Sequence, residues 1–301
     1  MNIDLHTHSN YSPCGDQTVA ELLNVAKTYG IEVISLTDHD TAAGVEEAIQ
    51  YGAALGMTVI PGIEISASTG ADTPAIPMNS RVHVLGYNFD YRSPRLAQAY
   101  ESLVPAKKLR VERVIQHLRE GGVKLQIDEL TDYTELQLIR QMITRGYCQD
   151  RAAAKKLVRA PVIYNRFPEV RFSVRESVEL VRRLGGFPVL AHAYRGANRI
   201  AYSDAQVEEL VVTMKEYGLL GVESHHYFHL QEGRVEKLLR LCEEEGLLPT
   251  IGSDHHSHRR TYNGVGDDSL RRDVLTRDKH DFSPILEALG VSGRAGVRRV
   301  E

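Results

Sequence analysis

Residues 1–16 read M-N-I-D-L-H-T-H-S-N-Y-S-P-C-G-D, an apolar strand pattern that ends in two histidines one residue apart. Residues two apart in an extended strand point to the same face, so His6 and His8 can both reach one metal ion. A His-x-His pair at a strand end is more often a surface pair than a pair of ligands. The rest of the chain must therefore show whether other ligands join it.

Strand patterns that alternate with helical patterns follow this stretch. Amphipathic helical patterns at 19–29 and 44–55 separate the early strands, and later helical patterns end in glycine, a common helix stop. Further apolar, β-type runs lie at 33–37, 57–66, 82–89, 187–192, 218–224 and 248–254. Strands that alternate with helices in this way predict parallel βαβ units and an α/β fold.

Residues 93–172 break this alternation. Runs such as 106–120 and 149–159 are charged, helical in pattern and poor in strand signals. We therefore predict a helical insertion over 93–172, within a main domain made of residues 1–92 and 173–301.

Composition narrows the class of protein. A chain of 301 residues with 42% hydrophobic and 25% charged residues can bury a large α/β core. The net charge of -4 argues against a surface that binds long nucleic acid stably. No apolar run is long enough for a membrane span, and no signal peptide is recognisable. Three widely spaced cysteines predict reduced thiols, and we expect a cytoplasmic protein.

Imidazoles and carboxylates stand at the ends of the predicted strands. In a parallel α/β fold, the carboxyl ends of the strands gather on one face, where the active site lies. Each group has an ordinary structural explanation when taken alone, but their repetition at successive strand ends favours a shared metal centre. These groups are His6, His8, Asp38, His39, Asp40, Glu64, His83, His192, Asp254 and His256.

The donor types suggest which ions would bind. Imidazole and carboxylate ligands without a thiolate suit Mn²⁺, Zn²⁺ or Fe²⁺ and argue against a structural zinc site. This many candidate ligands exceed what one ion binds, so we predict two ions bridged by Glu64, with room for a third near His39 and His256. Two neighbouring ions can clamp a phosphoryl group and supply hydroxide at neutral pH. The expected chemistry is hydrolysis of a phosphate ester, with an amide as the alternative.

Six motifs in order, D-L-H-T-H-S, L-T-D-H-D-T, P-G-I-E-I-S, H-V-L-G-Y-N, V-L-A-H and G-S-D-H-H, resemble the PHP (polymerase and histidinol phosphatase) family. The resemblance covers most of residues 1–266 and is strongest to the bacterial 3',5'-nucleoside bisphosphate phosphatase branch. It implies a distorted (β/α)7 barrel of PHP type with a helical insertion that contributes to the substrate site. It also implies two or three divalent ions, with Mn²⁺ preferred over Zn²⁺ or Fe²⁺. The implied ligands are His6, His8, His39, Glu64, His83, His192, Asp254 and His256.

The chain departs from this family pattern at three places. Relatives usually read A-S-D-G after the first motif, and here Pro13 replaces the Asp that often serves a third metal. Asp16 could compensate from a shifted loop, so the number of ions, two or three, stays open. The family segment A-H-P-G-R-Y is A-H-A-Y-R-G here, which keeps the spacing between His192 and Arg195. In the insertion, T-R-G-Y keeps Arg145 but lacks the histidine of the relatives.

The resemblance predicts a phosphomonoesterase that removes the 3'-phosphate of a 3',5'-bisphosphonucleotide such as pAp, giving the 5'-nucleotide and phosphate. Arg145 and Arg195 would bind the second phosphate, because guanidinium groups pair well with phosphate oxygens. Asp254 would orient or deprotonate the nucleophile, and His226 or His229 would protonate the leaving oxygen or contact phosphate.

Three alternatives stay open. The chain could be a 5'→3' exoribonuclease or phosphodiesterase acting on short RNA, or a histidinol phosphate phosphatase. It could also be a metal-stabilised module without catalytic activity. If the chain is the bisphosphonucleotide phosphatase, its partner is a small nucleotide, and we expect it to bind neither a membrane nor long nucleic acid. The sequence predicts no oligomeric state.

Overall fold

The computed structural model describes residues 2–12, 14–127, 130, 134–196, 201–256 and 280–291. The chain divides into two compact units, one made of Met1–Ser93 with Phe172–Glu301 and the other of Pro94–Arg171. The contribution of the second unit to a substrate site stays a prediction.

One sheet carries the first unit. Its strand order is β1-β2-β3-β4-β6-β7-β8, and β5 pairs with β3 beside this path. A bridge between Thr7 and His255, with a 2.9 Å hydrogen bond from the His8 amide to the His255 carbonyl, joins the end of β1 to the segment after β8. The sheet thereby closes on itself, and the prediction of a distorted seven-stranded α/β barrel is confirmed. The strands are β1 (Asn2–Thr7), β2 (Ile31–Leu36), β3 (Thr58–Ser68), β4 (Arg81–Tyr87), β5 (Phe172–Ser173), β6 (Phe187–Leu190), β7 (Gly221–His225) and β8 (Leu248–Ile251).

Helices follow most strands, and local sequence sets where several of them begin. Thr18, Ser173 and Ser203 each cap a helix, and each forms a capping box with a Glu or Gln three residues on. The helices are α1 (Val19–Thr28), α2 (Val45–Ala54), α3 (Pro94–Ser102), α4 (Val104–Glu120), α5 (Glu135–Thr144), α6 (Arg151–Val158), α7 (Pro161–Arg166), α8 (Val174–Arg183), α9 (Asp204–Glu216), α10 (Tyr227–Gln231), α11 (Val235–Glu245) and α12 (Ser283–Ala288).

Strand β4 runs antiparallel to both of its neighbours, β3 and β6. The parallel βαβ arrangement that the alternation predicts therefore does not extend to this strand. The reason is the connection: residues 69–80 between β3 and β4 contain no helix, and a parallel return requires a longer crossover. As a result, the amino-terminal end of β4 meets the carboxyl ends of the other strands. His83, paired with Ser66 of β3, reaches that face from the start of its strand.

Apolar side chains from the strands fill the barrel. One cluster of buried residues draws on six strands and packs against α12, so the interior is a packed core. Its strand members include Leu5, Val33, Ile60, Leu85, Val189 and Ile251.

The second unit has its own apolar core, formed by α4 to α7. Val114, Leu138, Met142 and Val158 are among its most buried members. Beside this core, the buried Arg110 guanidinium lies 3.2 Å from the Glu135 carboxylate. The unit therefore has the helical character that the sequence predicts for this region.

Candidate metal centre

Glu64 lies in the middle of β3, is fully buried and stands at the centre of a group of histidines. Its backbone pairs with the segment after β2, since the Asp40 amide donates to the Glu64 carbonyl at 2.9 Å. Its two carboxylate oxygens each face more than one imidazole. The nitrogen–oxygen distances are 3.3 Å for His6, 3.2 Å for His8, 2.9 Å for His39, 2.6 Å for His83 and 3.3 Å for His192.

Asp254 adds a second carboxylate beside Glu64. Its Oδ1 lies 3.4 Å from His6 Nε2 and 3.3 Å from His8 Nε2, and the ligand atoms of these four residues all lie within 4.8 Å of one another. Two donor atoms that each bind one ion at about 2.1 Å are separated by about 3.0 to 3.4 Å. The spacing of the four side chains therefore suits a shared divalent ion.

The remaining predicted ligands adjoin this group. His39, Glu64 and His83 form a second set with metal-ligand spacing, and His192 contacts the same Glu64 oxygen as His83. The His256 ring lies 4.2 Å from the His8 ring, centroid to centroid. The structure thus brings all eight sequence-predicted ligands into one cluster.

Buried polar atoms test whether this cluster fits a metal. A buried donor or acceptor without a hydrogen bond costs free energy, so such atoms are rare. Among the described residues, five atoms of this type belong to the cluster, and imidazole and carboxylate donors are those that divalent transition ions prefer. The residues present therefore fit a metal centre. The five atoms are His6 Nε2, His8 Nε2, His39 Nδ1, Glu64 Oε2 and His83 Nε2.

Two residues of the cluster have a backbone conformation that L-residues rarely adopt. His192 has φ of 30° and Asp254 has φ of 52°, and they follow β6 and β8 closely. Such conformations cost about 1 to 3 kcal/mol each and concentrate at functional sites. Here they turn the chain as it leaves the sheet, next to the Glu64 cluster.

The charges of the cluster depend on burial and on its own members. Burial raises the pKa of Glu64, but the imidazoles of His83 and His39 outweigh it and hold that pKa well below its usual value. Burial likewise acts to raise the pKa of Asp254, and His256 with His6 lowers it further than burial raises it. Both carboxylates are therefore ionised at neutral pH, as metal ligands must be.

Glu223 in β7 orients two of the histidines, a role that was not among the predictions from the sequence. Its Oε1 lies 2.8 Å from His6 Nδ1, and its Oε2 accepts from the His192 amide at 2.7 Å. With Nδ1 engaged, His6 presents Nε2 to Glu64 and Asp254. Carboxylates that hold a ligand imidazole from behind are a regular feature of metal sites. A buried Glu in the apolar run G-V-E-S was the sequence signal that could have revealed it.

We expect Glu223→Gln to weaken metal binding by about 10- to 100-fold. Glutamine has one acceptor oxygen, so its amide group would face either the His6 ring or the His192 amide with a second donor. The measurement is zinc affinity by competition with a chromophoric chelator. Glu209→Gln, at an exposed position on α9, is the control and should bind zinc like the unaltered protein. Equal affinity in both variants would contradict the orienting role.

The loop after β1 is held against the segment after β2 by Asp38. This buried carboxylate accepts from the Ser9 amide at 2.8 Å, from the Ser9 hydroxyl at 2.7 Å and from the Ser12 hydroxyl at 2.7 Å. Ser12 Oγ in turn accepts from the His39 amide at 2.8 Å. These bonds fix the position of the loop relative to the histidines.

A thiol, which the predicted ligand set lacks, lies in this loop. Cys14 shares metal-ligand spacing with His8, His39 and His256. Burial acts to raise the pKa of its thiol, but hydrogen bonds with His256 and His39 lower that pKa to about 5. Asp16 is exposed and belongs to none of the metal-type groups found among the described residues, and Pro13 lies outside the described residues.

Two of the predicted substrate residues, His226 and Arg195, lie next to ligands of the cluster. His226 is buried, with Nε2 3.7 Å from Asp254 Oδ2 and Nδ1 accepting from the Phe228 amide at 3.3 Å. The Arg195 carbonyl lies 2.9 Å from His192 Nδ1, and the Arg195 guanidinium stacks on Phe228 at 3.6 Å from the ring centroid. His226 and Arg195 therefore border the cluster.

Two further candidates differ from these. Arg145 ends α5 in the second unit and contacts Gln141 and Gln126, and its part in the substrate site stays a prediction. His229 is buried, with Nδ1 3.2 Å from the Ser224 carbonyl and Nε2 accepting from the Tyr194 amide at 3.5 Å. Both of its nitrogens serve the local fold, which argues against a role in proton transfer.

Comparison with known proteins shows the family of this chain. Residues 4–185 match the PHP domain. The chain belongs to the PHP domain family. The match includes Glu64 and the histidines of β1 and β4, so the resemblance seen in the sequence motifs is confirmed.

Three curated relatives of this PHP chain are each 26% identical to it. A 5'-3' exoribonuclease of Haemophilus influenzae aligns with 84% of the chain and 89% of its own length. A phosphoribosyl 1,2-cyclic phosphate 1,2-diphosphodiesterase of Eggerthella lenta aligns with 84% and 93%. A 3',5'-nucleoside bisphosphate phosphatase of Chromobacterium violaceum aligns with 85% and 87%. All three act on phosphate esters, with different substrates.

Solved structures share the fold. A protein of Bifidobacterium adolescentis, assigned as a metal-dependent phosphoesterase, superposes with a TM-score of 0.62 at 26% identity and covers 93% of this chain and 97% of its own. An amidohydrolase of Chromobacterium violaceum superposes with a TM-score of 0.61 at 24% identity, covers 85% and 88%, and supports the fold alone. The PHP chain is thus a metal-dependent phosphoesterase in broad class.

No helix among the described residues is long and apolar enough to cross a membrane.

Proposed function

We propose that this PHP-domain protein is a phosphomonoesterase that removes the 3'-phosphate of 3',5'-bisphosphonucleotides such as pAp. One observation carries the proposal: the Arg195 carbonyl bonds to His192, and the Arg195 guanidinium stacks on Phe228, whose ring lies 5.2 Å from that of His226 beside Asp254. A substrate with two phosphates needs one centre for the scissile group and a separate cation for the other. The bisphosphate phosphatase among the relatives supports the same substrate class.

The metal ligands proposed are His6, His8, His39, Glu64, His83, His192, Asp254 and His256. Two or three divalent ions bound there, Mn²⁺ in the first place and Zn²⁺ or Fe²⁺ otherwise, would neutralise phosphate oxygens and lower the pKa of water. Glu64, with two oxygens facing different imidazoles, is the residue suited to bridge two ions.

The chain's own groups would position the reacting atoms. Asp254, ionised and next to His6 and His8, would accept a hydrogen bond from the attacking water and hold it in line with phosphorus. Burial lowers the pKa of His226, so the ring is neutral at pH 7. Its Nδ1 accepts from a backbone amide, which leaves the proton on Nε2. That proton would stabilise the departing 3' oxygen by a hydrogen bond.

Arg195 would bind the phosphate that is not cleaved, and the sequence predicts the same role for Arg145. Arg195 contacts Glu232 at 2.8 Å and its side chain is partly exposed, so a phosphate could displace that carboxylate or bind beside it. We expect Arg195→Ala, and separately Arg145→Ala, to lower kcat/KM for pAp by about 10- to 100-fold, the loss of one charged hydrogen-bonding group.

Cleavage of a monophosphate that lacks the second phosphate should change little in the same variants. Arg183→Ala, at an exposed position on α8, is the matched control. Equal losses on pAp and on a monophosphate would overturn the second-phosphate role and favour a substrate with one phosphate, such as histidinol phosphate.

A 5'→3' exoribonuclease is the second candidate, favoured by the Haemophilus influenzae relative. The deciding experiment is phosphate release from a panel of mono- and bisphosphorylated nucleotides and histidinol phosphate, with Mn²⁺ added. In parallel, kcat/KM for pAp is compared with that for a 5'-phosphorylated oligoribonucleotide. We expect pAp to be the better substrate. A higher kcat/KM for the oligonucleotide would replace the proposal with the exoribonuclease. A small nucleotide as partner and a cytoplasmic location stay predictions of the sequence.

A further inference from the structure

Cys14 lies in the loop between β1 and α1, at the edge of the Glu64 cluster. It is partly exposed, and its Sγ lies within 4.8 Å of ligand atoms from three imidazoles. Those histidines come from three separate places: His8 from the end of β1, His39 from the end of β2, and His256 from the segment after β8. The other two cysteines, Cys148 and Cys242, are buried members of apolar clusters.

Backbone hydrogen bonds and a close approach at a glycine hold this loop in one conformation. The Asn10 amide donates to the Gln17 carbonyl at 2.7 Å across the base of the loop, and the Gly15 amide donates to the Ser12 carbonyl at 3.2 Å. A β-carbon on Gly15 would lie 2.0 Å from the Ser9 carbonyl oxygen, so no larger residue fits there. The residue next to Cys14 therefore lets the chain pass close to Ser9, and Cys14 is held beside the histidines.

Counting donors shows where a thiol is needed. Each imidazole nitrogen that faces the cluster serves one ion, whereas the two oxygens of Glu64 can serve two. His6, His8, Glu64 and Asp254 form one set, and His39, Glu64 and His83 form another, which His192 joins through the same Glu64 oxygen. The remaining metal-type group joins His39 and His256 to Cys14 and His8, and it contains no carboxylate. Cys14 supplies the third protein ligand, and three ligands leave a position for water or substrate.

We propose that Cys14 is a thiolate ligand to a third divalent ion, held with His39 and His256, and that this position favours Zn²⁺ over Mn²⁺. The inference rests on the proposed metal centre and concerns one of its ion positions. Sulfur is a soft donor, and thiolate ligands select zinc-like ions, whereas carboxylates also accept Mn²⁺. Binding releases the thiol proton to solvent as the sulfur–metal bond forms. The centre would then combine two positions suited to Mn²⁺ with one suited to Zn²⁺.

Cobalt is the probe for this position, because a cobalt–thiolate bond absorbs in the near ultraviolet and bonds to nitrogen or oxygen do not give this band. The full-length protein is stripped with a chelator and reloaded with Co²⁺. We expect the thiolate-to-cobalt band in the unaltered protein and in Cys148→Ser, and its loss in Cys14→Ser. Zinc content by mass spectrometry should fall by one ion per chain in Cys14→Ser only. Cys14→Asp should recover an ion without the band.

A measurement on the unaltered protein guards against a variant that fails to fold. Alkylation of Cys14 by iodoacetamide, followed by peptide mass spectrometry, should slow at least tenfold when Zn²⁺ is added. A cobalt band or a zinc content unchanged in Cys14→Ser, or alkylation unaffected by Zn²⁺, would overturn the proposal. Phosphate release from pAp is recorded in parallel. Absent activity with the band present would count against the proposed function alone, and full activity without the band against Cys14 alone.

Discussion

Replacing Glu64 by glutamine is expected to abolish phosphate release, with kcat/KM for any phosphate-ester substrate falling by about 10³-fold or more, or about 4 kcal/mol. Glu64 is the buried carboxylate that faces five imidazoles. Glutamine keeps the shape but loses the negative charge, and one of its two ends becomes a donor that faces imidazole nitrogens. In the proposed centre, loss of the bridging carboxylate would weaken both neighbouring sets of ligands.

The measurement is phosphate release with Mn²⁺ or Zn²⁺ present, together with metal content after dialysis. Both should fall in Glu64→Gln, and His8→Ala should show the same direction of change. Glu216→Gln, exposed on α9, controls for the loss of one carboxylate elsewhere and should keep full activity. Full activity in Glu64→Gln would remove Glu64 from the metal centre.

Replacing Gly252 by alanine is expected to lower the free energy of unfolding by about 2 to 3 kcal/mol, the usual cost of overpacking a tight interior site. Gly252 follows β8 directly, and its amide donates to the His225 carbonyl at 3.0 Å. A β-carbon there would lie 2.2 Å from the Cβ of His6 and 2.6 Å from Oε1 of Glu223. Both neighbours belong to the metal centre, so relief of the clash must displace His6 or the carboxylate behind it.

We therefore expect Gly252→Ala to lose activity as well as stability, by about 100-fold, because small misplacement of a catalytic group is costly. The measurements are urea denaturation followed by circular dichroism, and kcat/KM under saturating metal. Gly70→Ala is the control, since its β-carbon would be 3.4 Å from its nearest neighbour, Asp72 Oδ1, and its stability should change by less than about 0.5 kcal/mol. A Gly252→Ala protein as stable as this control would show that the site tolerates the shift.

A site residue could be predicted when its neighbours in the sequence reveal its role, and could not when its partners are distant in the chain. His6 and His8 were recognisable because they end an apolar run, and Glu64 because it interrupts one. Glu223 also interrupts an apolar run, but its role depends on the His6 ring, which lies 217 residues away in the sequence. Cys14 was not among the predicted ligands because the three cysteines are far apart in the sequence. Its partners arrive from the ends of β1 and β2 and from the segment after β8.

The sequence by itself determined the α/β class, the PHP family and the residue types that meet at one end of the barrel, since strand patterns and strand-end residues are local properties. The tertiary structure alone decided that β4 runs antiparallel, that Glu223 stands behind His6 and His192, and that a thiol joins the histidines. The alternation of side chains along a strand is the same whichever way the strand runs. Strand direction, and every contact that depends on it, is therefore set by packing between residues that are distant in the chain.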